Sequence, residues 1–537
     1  MNCKSPIIPV LIIGAGASGI AMGCKLQRKY GFGDYTIFEK QSEIGGAWTS
    51  NKYPGIACDV PMALYSFSFA PKFTSKSIYP SGAEYLEYLQ DVARSHGVDS
   101  KIQFNTEVTD LQYLEESSTW QVTISRLVPH DHKSTSSQES SSNSGILKTE
   151  KILANVVISC VGILVKPNVW PSSVPGNETF EGEIIHSSHL TDSVNMHDKK
   201  VVVIGSGCSA AQIVPTLLQR DEIASLTQIM RTPPWVEPRL EEPLGKAMYS
   251  RYAPNLFRYM QPLGWIFRVF IYIYTEIEWA TIFQRRSTFL RGLAEKAATK
   301  HMKAKAPEKY HAVMTPKYSY GCKRRVFDSS WLESMRNPKF SLTTSSLTSL
   351  GPDSVYVRQD SALTGEGSTK VHPDRNDQIQ ADIIILANGF QATKFLHAIS
   401  VHGRGDLTLH TEWKNRGGEQ AYLGTAMDKF PNLFFVIGPN TFVGHSSVII
   451  SIENTVDLIL KIMKPIIKGK SRTVEVKKEA VVKWTADIQN ALCGTVFSGC
   501  KSWYSNERGW NSVIYPRSQI DFWYRCKFPI YEDWTYT

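Results

Sequence analysis

The sequence contains no closely spaced cysteine pair and no long apolar run free of charge. Its nine cysteines are odd in number and never spaced as CxxC, so neither a disulfide framework nor a zinc site is predicted. The most apolar stretch, residues 263–283, includes Arg268, Glu276 and Glu278. Charges at mid-depth are costly in a bilayer, so we expect a packed helix here and no integral membrane span.

The amino terminus offers little space for a secretion signal. An apolar strand is reached by Val10, which leaves no room for a basic segment, a long apolar segment and a cleavage site. Together with the scattered cysteines, this predicts a reducing, cytoplasmic location.

The charge balance is only mildly basic. The 537 residues carry a net charge of +9, and the excess is spread along the chain, which argues against a nucleic-acid partner. With 42% apolar and 20% charged residues, the chain is not intrinsically disordered. Its length suggests about three to five domain-sized units.

The clearest positive feature is a glycine-rich turn, Gly14-Ala-Gly-Ala-Ser-Gly19, placed between an apolar strand and a helical stretch. In this GxGxxG pattern Gly14 allows a tight turn, Gly16 lets the backbone approach a pyrophosphate, and Gly19 permits close packing of helix on strand. A second short strand ends at Glu39, whose carboxylate can accept hydrogen bonds from a ribose. The unit predicts a dinucleotide site.

A second fingerprint of the GxGxxA form is Gly205-Ser-Gly-Cys-Ser-Ala210, in which Gly205, Gly207 and Ala210 fill the fixed positions. The strand that follows it leads to Arg231 and Thr232 and not to an acid. An arginine at this point accommodates a 2′-phosphate, so NADPH is favoured over NADH.

Two nucleotide sites in one chain suggest a flavin in the first and a reduced nicotinamide in the second, so that hydride passes between them. The disulfide reductases share this plan, but they need a redox-active cysteine pair near the flavin. The first half of the chain has no such pair, and this class is disfavoured.

Residues 45–59 resemble the fingerprint of the Baeyer–Villiger monooxygenases that carry FAD and NADPH. The positions that match the family pattern are Gly46, Trp48, Tyr53, Pro54, Gly55 and Asp59. The resemblance extends over nearly the whole chain and includes the segments Tyr320–Arg324 and Phe430–Asn440.

This resemblance implies roles for particular residues. Arg324 would place a guanidinium beside the flavin and stabilise the anion that attacks a ketone carbonyl, with Asp59 orienting it. Lys323, Arg231 and Thr232 would contact the 2′-phosphate of NADPH. The other implied cofactor contacts are Gly46, Trp48, Asp59, Tyr65 and His186.

A second family signature is kept at Phe180, Gly182 and His186, but Leu190 stands where tryptophan is expected. The leading hypothesis is an FAD-dependent, NADPH-consuming monooxygenase that uses O₂ to convert an apolar ketone to an ester or lactone in secondary-metabolite (polyketide or terpenoid) biosynthesis. Leu190 keeps a second hypothesis open, in which the same scaffold hydroxylates or oxygenates nitrogen or sulfur. A third is a flavin-binding protein without oxygenase activity.

The predicted fold class is α/β, with two Rossmann-like, three-layer dinucleotide-binding domains and a helical insertion. The expected divisions are an FAD-binding segment at 1–179, a linker at 180–195, an NADPH-binding domain at 196–380 with its insertion at about 240–302, and a second FAD-binding segment at 381–537. A serine-rich stretch at 134–144 is expected to be a solvated loop. The sequence does not fix the oligomeric state.

Overall fold

The computed structural model describes residues 7–128, 145–243, 245–358, 376–396 and 398–537. All structural statements refer to these residues, and the predicted serine-rich loop at 134–144 lies outside them.

The strands are given first, in chain order. They are β1 (Ile7–Ile13), β2 (Tyr35–Phe38), β3 (Ile102–Gln103), β4 (Thr106–Leu114), β5 (Thr119–Leu127), β6 (Ile146–Ser159), β7 (Glu183–His186), β8 (Lys200–Ile204), β9 (Ser225–Ile229), β10 (Val236–Pro238), β11 (Val326–Asp328), β12 (Phe340–Thr343), β13 (Ser346–Leu350), β14 (Ser354–Arg358), β15 (Asn376–Gln380), β16 (Ile383–Leu386), β17 (Ser400–His402), β18 (Leu433–Phe435), β19 (Val474–Val476) and β20 (Trp534–Tyr536).

The helices follow, in the same order. They are α1 (Ala17–Tyr30), α2 (Ala47–Ser50), α3 (Met62–Tyr65), α4 (Gly82–Ser95), α5 (Cys208–Arg220), α6 (Lys246–Tyr259), α7 (Gln261–Thr281), α8 (Thr288–Lys305), α9 (His311–Met314), α10 (Trp331–Ser334), α11 (Leu409–Asn415), α12 (Val448–Ile462), α13 (Lys464–Ile467), α14 (Lys478–Cys493) and α15 (Gln519–Lys527). Short 3₁₀ turns occur at Asp99–Lys101, Glu308–Tyr310, Arg404–Asp406, Val496–Ser498 and Tyr531–Asp533.

The first sheet has the strand order β17-β4-β5-β6-β1-β2-β3, and β18 also pairs with β6. Strand β1 lies parallel to both β2 and β6, and its Leu11 and Ile12 are fully buried. An apolar strand at the centre of a parallel region needs cover on both faces. The first glycine turn follows directly after the carboxyl end of β1.

The second sheet has the order β12-β9-β8-β16-β7, and every pair in it is parallel. Strand β8 is central and runs into the second glycine turn, just as β1 runs into the first. The predicted α/β class with two Rossmann-like units is confirmed. A smaller antiparallel sheet, β13-β14-β15, is formed between β12 and β16 in the chain.

The placement of β16 corrects one predicted boundary. Residues 381–390 were expected to mark the return to the first domain, but β16 pairs with β8 on one side and β7 on the other. Strand β7, inside the predicted linker at 180–195, is thus the edge strand of the second sheet. The reason is that a short, wholly apolar strand fits the interior of either parallel sheet, so its composition does not reveal which one it joins.

The helical insertion predicted at about 240–302 is formed by α6, α7 and α8. Helix α7 packs on the first domain, where Arg268 donates hydrogen bonds to the carbonyl oxygens of Ala63 (2.8 Å) and Ser66 (3.0 Å). Among the described helices, none combines the length and the apolar character needed to cross a membrane.

The sequence predicts no disulfide framework, but the structure contains one disulfide among the described cysteines. Cys322 and Cys500 are joined, with their Cα atoms 6.2 Å apart and 178 positions between them in sequence. Cysteine spacing predicts a bridge only when the partners are close in the chain or recur in a framework. This bridge depends on the fold bringing two distant segments together.

Leu190, which departs from the family signature, is fully buried. It belongs to the apolar cluster of the second sheet, together with Val201, Val203 and Leu226. Leucine at this position therefore fills a closely packed core.

We expect Leu190→Trp to destabilise the protein by about 1–3 kcal/mol, because a tryptophan overfills this buried site. Urea unfolding, monitored by circular dichroism, measures the loss of unfolding free energy. The matched control is His189→Trp, which introduces the same side chain at the exposed neighbouring position and should leave the midpoint of urea unfolding nearly unchanged. Equal losses in the two variants would contradict the packing explanation.

Candidate active site

The first glycine turn is shaped by close backbone contacts. Gly14 has φ of +102°, and a Cβ atom there would lie 2.8 Å from the carbonyl oxygen of Cys160. A Cβ on Gly19 would lie 2.0 Å from the carbonyl oxygen of Gly14, so α1 can approach β1 only if this residue is glycine. Gly16 is the N-cap of α1 and provides no side-chain cap.

Glu39 closes the same turn from the end of β2. Its carboxylate accepts hydrogen bonds from the backbone amides of Ala15 (2.6 Å) and Gln41 (2.9 Å). Burial raises the pKa of Glu39, and these hydrogen bonds only partly oppose the rise. Each carboxylate oxygen retains a lone pair for a ribose hydroxyl.

The second glycine turn repeats this geometry. Gly205 has φ of +132°, and a Cβ on it would lie 2.2 Å from the carbonyl oxygen of Ala387 in the loop after β16. Gly207 is the N-cap of α5, again without a side-chain cap, and a Cβ there would meet nothing within 4 Å. Ala210 is fully buried against the sheet.

Both turns fit a dinucleotide. The first-turn amides of α1 and α5 have no side-chain oxygen at the N-cap. Helix N-termini in this state carry unsatisfied donors and a positive dipole end, which suit a pyrophosphate. The residues present are therefore compatible with FAD at the first turn and NADPH at the second.

The fingerprint segment at 46–59 packs against α5 of the second unit. Tyr53 donates a hydrogen bond to the side-chain oxygen of Gln212 (3.0 Å), and the Gln212 amide donates to the carbonyl oxygen of Ala57 (3.0 Å). A Cβ on Gly55 would lie 2.1 Å from the Thr216 hydroxyl. Position 55 thus requires glycine, because α5 packs directly against the segment there.

At its other end the segment contacts the first glycine turn. A Cβ on Gly46 would lie 2.8 Å from the Cα of Gly16. Trp48, Tyr65 and Tyr85 form an aromatic cluster next to it, with ring centroids 4.8 Å apart for Trp48 and Tyr85 and 4.7 Å for Tyr65 and Tyr85. These contacts place the predicted residues Gly46, Trp48 and Tyr65 beside the first nucleotide turn.

The structure brings Asp59 and Arg324 together as a hydrogen-bonded salt bridge, although 265 positions separate them. Burial alone would raise the pKa of Asp59, but the Arg324 guanidinium outweighs it and holds this pKa below its usual value. About a quarter of each side chain is exposed. The thiol of Cys208, the first residue of α5, lies 3.9 Å from the Asp59 carboxylate.

Aromatic side chains surround the free side of this pair. The Arg324 guanidinium lies 5.9 Å from the Phe442 ring centroid, and Phe442 packs edge-on against Trp503 at 6.1 Å. The buried Tyr504 is also close enough to interact electrostatically with Arg324. A fixed cation therefore faces an apolar, aromatic surface.

Lys323 and Arg231 form a second cationic site. Burial, followed by repulsion from Arg231, lowers the pKa of Lys323, whose ammonium lies 4.8 Å from the Tyr318 ring centroid. Neither cation has a salt-bridge partner within the described residues. Thr232 is tied to the second turn, because its carbonyl oxygen accepts a hydrogen bond from Ser206 (2.9 Å).

Arg325 was not singled out from the sequence, yet it is only 5% exposed. Its guanidinium donates to both carboxylate oxygens of Glu278 (2.9 and 3.1 Å), to Glu237 (3.2 Å) and to the Tyr320 hydroxyl (3.0 Å). No local signal distinguishes it from its neighbours in a run of three basic residues.

His186 lies at the end of β7, apart from the salt bridge. Its two ring nitrogens contact the Ser188 hydroxyl (2.8 Å) and the carbonyl oxygen of Gly389 (3.1 Å). Burial lowers its pKa, so the neutral ring is favoured. The histidine links the two strand ends next to the second turn.

Comparison with known proteins identifies the family. The model of the flavin-binding monooxygenase-like family matches residues 8–245. A Baeyer–Villiger monooxygenase from Streptomyces coelicolor is 30% identical over 96% of this chain and 90% of its own length. The FAD-binding monooxygenase ktnD of Aspergillus niger is 29% identical over 96% of this chain and 79% of its own.

Solved structures agree on the fold. The NADP⁺-bound cyclohexanone monooxygenase from Rhodococcus sp. Phi1 superposes with a TM-score of 0.76 at 22% identity, covering 99% of this chain and 100% of that one. With the two nucleotide turns, the fingerprint segment and these relatives taken together, the chain belongs to the Baeyer–Villiger group of the flavin-binding monooxygenases.

Proposed function

We propose that the protein is an FAD-dependent, NADPH-consuming monooxygenase that inserts an oxygen atom from O₂ beside a ketone carbonyl and releases an ester or lactone. The observation that carries the proposal is the Asp59–Arg324 salt bridge. It joins the fingerprint segment to the Tyr320–Arg324 segment and lies next to the first residue of α5.

Bound FAD, once reduced by NADPH, would supply the activated oxygen for the insertion. The residues of the chain hold and orient the reactants. Arg324 provides a permanent positive charge where negative charge develops on oxygen, and it is already in position before the reaction starts. Asp59 fixes the direction of the guanidinium and keeps it from turning to solvent. The aromatic rings of Phe442 and Trp503 limit access of water.

In this proposal Arg231 and Lys323 bind the 2′-phosphate that distinguishes NADPH from NADH. Two neighbouring cations without a carboxylate partner gain most from an added dianion, because the anion removes their mutual repulsion. Burial is the main cause of the lowered pKa of Lys323, and repulsion from Arg231 adds to it.

The aromatic surface beside Arg324 favours an apolar ketone as substrate, and we place the enzyme in secondary-metabolite biosynthesis, where polyketide and terpenoid ketones occur. Because Leu190 is buried in a core, it gives no support to oxygenation of nitrogen or sulfur. We further propose a cytoplasmic location. Six of the eight described cysteines are free thiols, as a reducing compartment favours, and the fully buried Cys322 shields the Cys322–Cys500 disulfide from reductants.

Replacing Arg324 with alanine should separate the two halves of the reaction. Anaerobic reduction of bound FAD by NADPH should remain within about twofold of the parent rate, while ester formation falls by about 10²–10³, the usual effect of removing one preorganised donor. Stopped-flow absorbance measures the first step, and mass spectrometry of products from a ketone and thioether panel measures the second.

The matched control is Arg324→Lys, which keeps the charge but not the forked geometry, and which should retain more ester formation than alanine. Asp59→Asn should resemble Arg324→Lys, because the cation remains but loses its orienting charge. Equal loss of flavin reduction and ester formation in Arg324→Ala would refute its assigned role. Products made only from the thioethers would refute ketone oxidation.

Arg231→Ala should raise the KM for NADPH by about ten- to a hundredfold, the cost of one lost charge-assisted contact. The kcat and the KM for NADH should barely change, since neither depends on the 2′-phosphate. Steady-state kinetics with both coenzymes tests this, and Lys317→Ala, an exposed lysine in the segment that also contains Lys323, serves as control. A parallel rise in both KM values would place Arg231 outside the phosphate site.

A further inference from the structure

Helix α7 presents an apolar face to solvent. Large apolar side chains recur on it at intervals of three and four residues and are exposed; they are Leu263, Ile266, Phe270, Ile273, Tyr274 and Ile277. Ile266 is 64% exposed and Phe270 62%. This spacing places them along one side of the helix.

The opposite side of α7 is buried, and polar and charged residues lie there together with Ile271 and Trp279. Arg268, Thr275 and Glu278 are each less than 10% exposed. Arg268 is hydrogen-bonded to carbonyl oxygens of the first domain, and Glu278 to Arg325. A surface helix of a water-soluble domain normally keeps its charged residues in solvent and its large apolar residues inward.

The apolar face continues beyond α7. Just before it, Tyr259 is 83% exposed. Glu276 accepts hydrogen bonds from the backbone amides of Gln519 and Ile520, which fixes the start of α15 against α7. Ile520 and Trp523 of α15 are also exposed. Clustered exposure of large apolar side chains on two helices in contact indicates a binding surface.

The exposed charges within residues 245–300 have one sign. Every exposed charged residue between positions 245 and 300 is lysine or arginine, among them Arg258, Arg285 and Arg286. The acidic residues of the same stretch are not exposed and are engaged inside the protein, as Glu276 and Glu278 show. Within the described chain, none of the three named arginines forms a salt bridge.

We propose that the α6–α8 face, defined as the exposed side of residues 246–305, binds the surface of an anionic lipid bilayer, with α7 lying in the plane of the interface. Apolar side chains would enter the headgroup region, where tyrosine and tryptophan are also favoured. The flanking arginines would contact lipid phosphates and carboxylates. Helix α7 would not cross the bilayer, because its buried charged residues remain bound to the rest of the protein.

Charge argues for a bilayer and against a second copy of this chain. In a symmetric dimer the same patch meets itself, so the unpaired arginines would be brought towards one another. Such like-charge contact disfavours association, whereas an anionic lipid surface supplies the missing counter-charge. The proposal does not depend on the enzymatic activity, because its test has no catalytic readout.

The test is flotation of the full-length, FAD-loaded protein with lipid vesicles. The protein should float with vesicles of phosphatidylcholine and phosphatidylserine, and much less with phosphatidylcholine alone. Binding to the anionic vesicles should weaken as salt is added, because the ionic contribution is screened.

Two double variants test the apolar and the ionic contributions to vesicle binding separately. Ile266→Ser combined with Phe270→Ser should reduce the vesicle-bound fraction at least about tenfold, since two large apolar groups no longer enter the interface. Arg285→Gln combined with Arg286→Gln should remove most of the preference for anionic lipid. The flavin spectrum and thermal midpoint should match those of the parent, because all four side chains are exposed.

Matched controls lie on other elements. Leu147→Ser with Val169→Ser alters two side chains of similar exposure, 66% and 72%, and Lys148→Gln with Lys151→Gln removes two exposed charges on β6. Both should bind vesicles like the parent. The proposal is overturned if the parent fails to bind anionic vesicles, or if the Ile266/Phe270 and Arg285/Arg286 double variants bind as well as the controls. It is equally overturned if light scattering shows that the parent is a dimer and that these double variants are monomers.

Discussion

The salt bridge between Asp59 and Arg324 can form only if two distant parts of the chain are held rigidly against each other, and much of the structure serves that requirement. On one side, Gln212 of α5 hydrogen-bonds the fingerprint segment, and Gly55 allows the helix to lie directly behind it. On the other side, the buried ion pairs of Arg325 anchor the residue next to Arg324. A charge fixed in this way needs no reorganisation when a reacting anion appears.

Three consecutive basic residues have three different environments. Lys323 faces Arg231 without a carboxylate between them, Arg324 meets Asp59, and Arg325 is enclosed by Glu237 and Glu278. Breaking the enclosed pair would leave a buried charge uncompensated, which is far costlier than losing a surface ion pair. In the proposed function, these adjacent residues therefore serve phosphate binding (Lys323), the reaction (Arg324) and structural anchoring (Arg325).

The same anchoring explains why charged residues of α7 are buried while many of its large apolar residues are exposed. Its buried residues Arg268 and Glu278 are needed for contacts with the first domain and with Arg325. The sequence predicts a packed helix in this stretch without showing which side of it is covered. Periodicity tells which residues share a face of a helix, but not whether that face is covered.

The sequence determined the two strand–turn–helix units, because the glycines at fixed spacing and the flanking apolar strands are local requirements of the backbone. It also singled out Asp59 and Arg324 as candidate catalytic residues through a family pattern. Only the tertiary structure placed β16 in the second sheet, joined Cys322 to Cys500, buried Arg325 and left the α7 face exposed. These features depend on contacts between residues far apart in the chain, and local pattern carries no information about which distant segment will supply the partner.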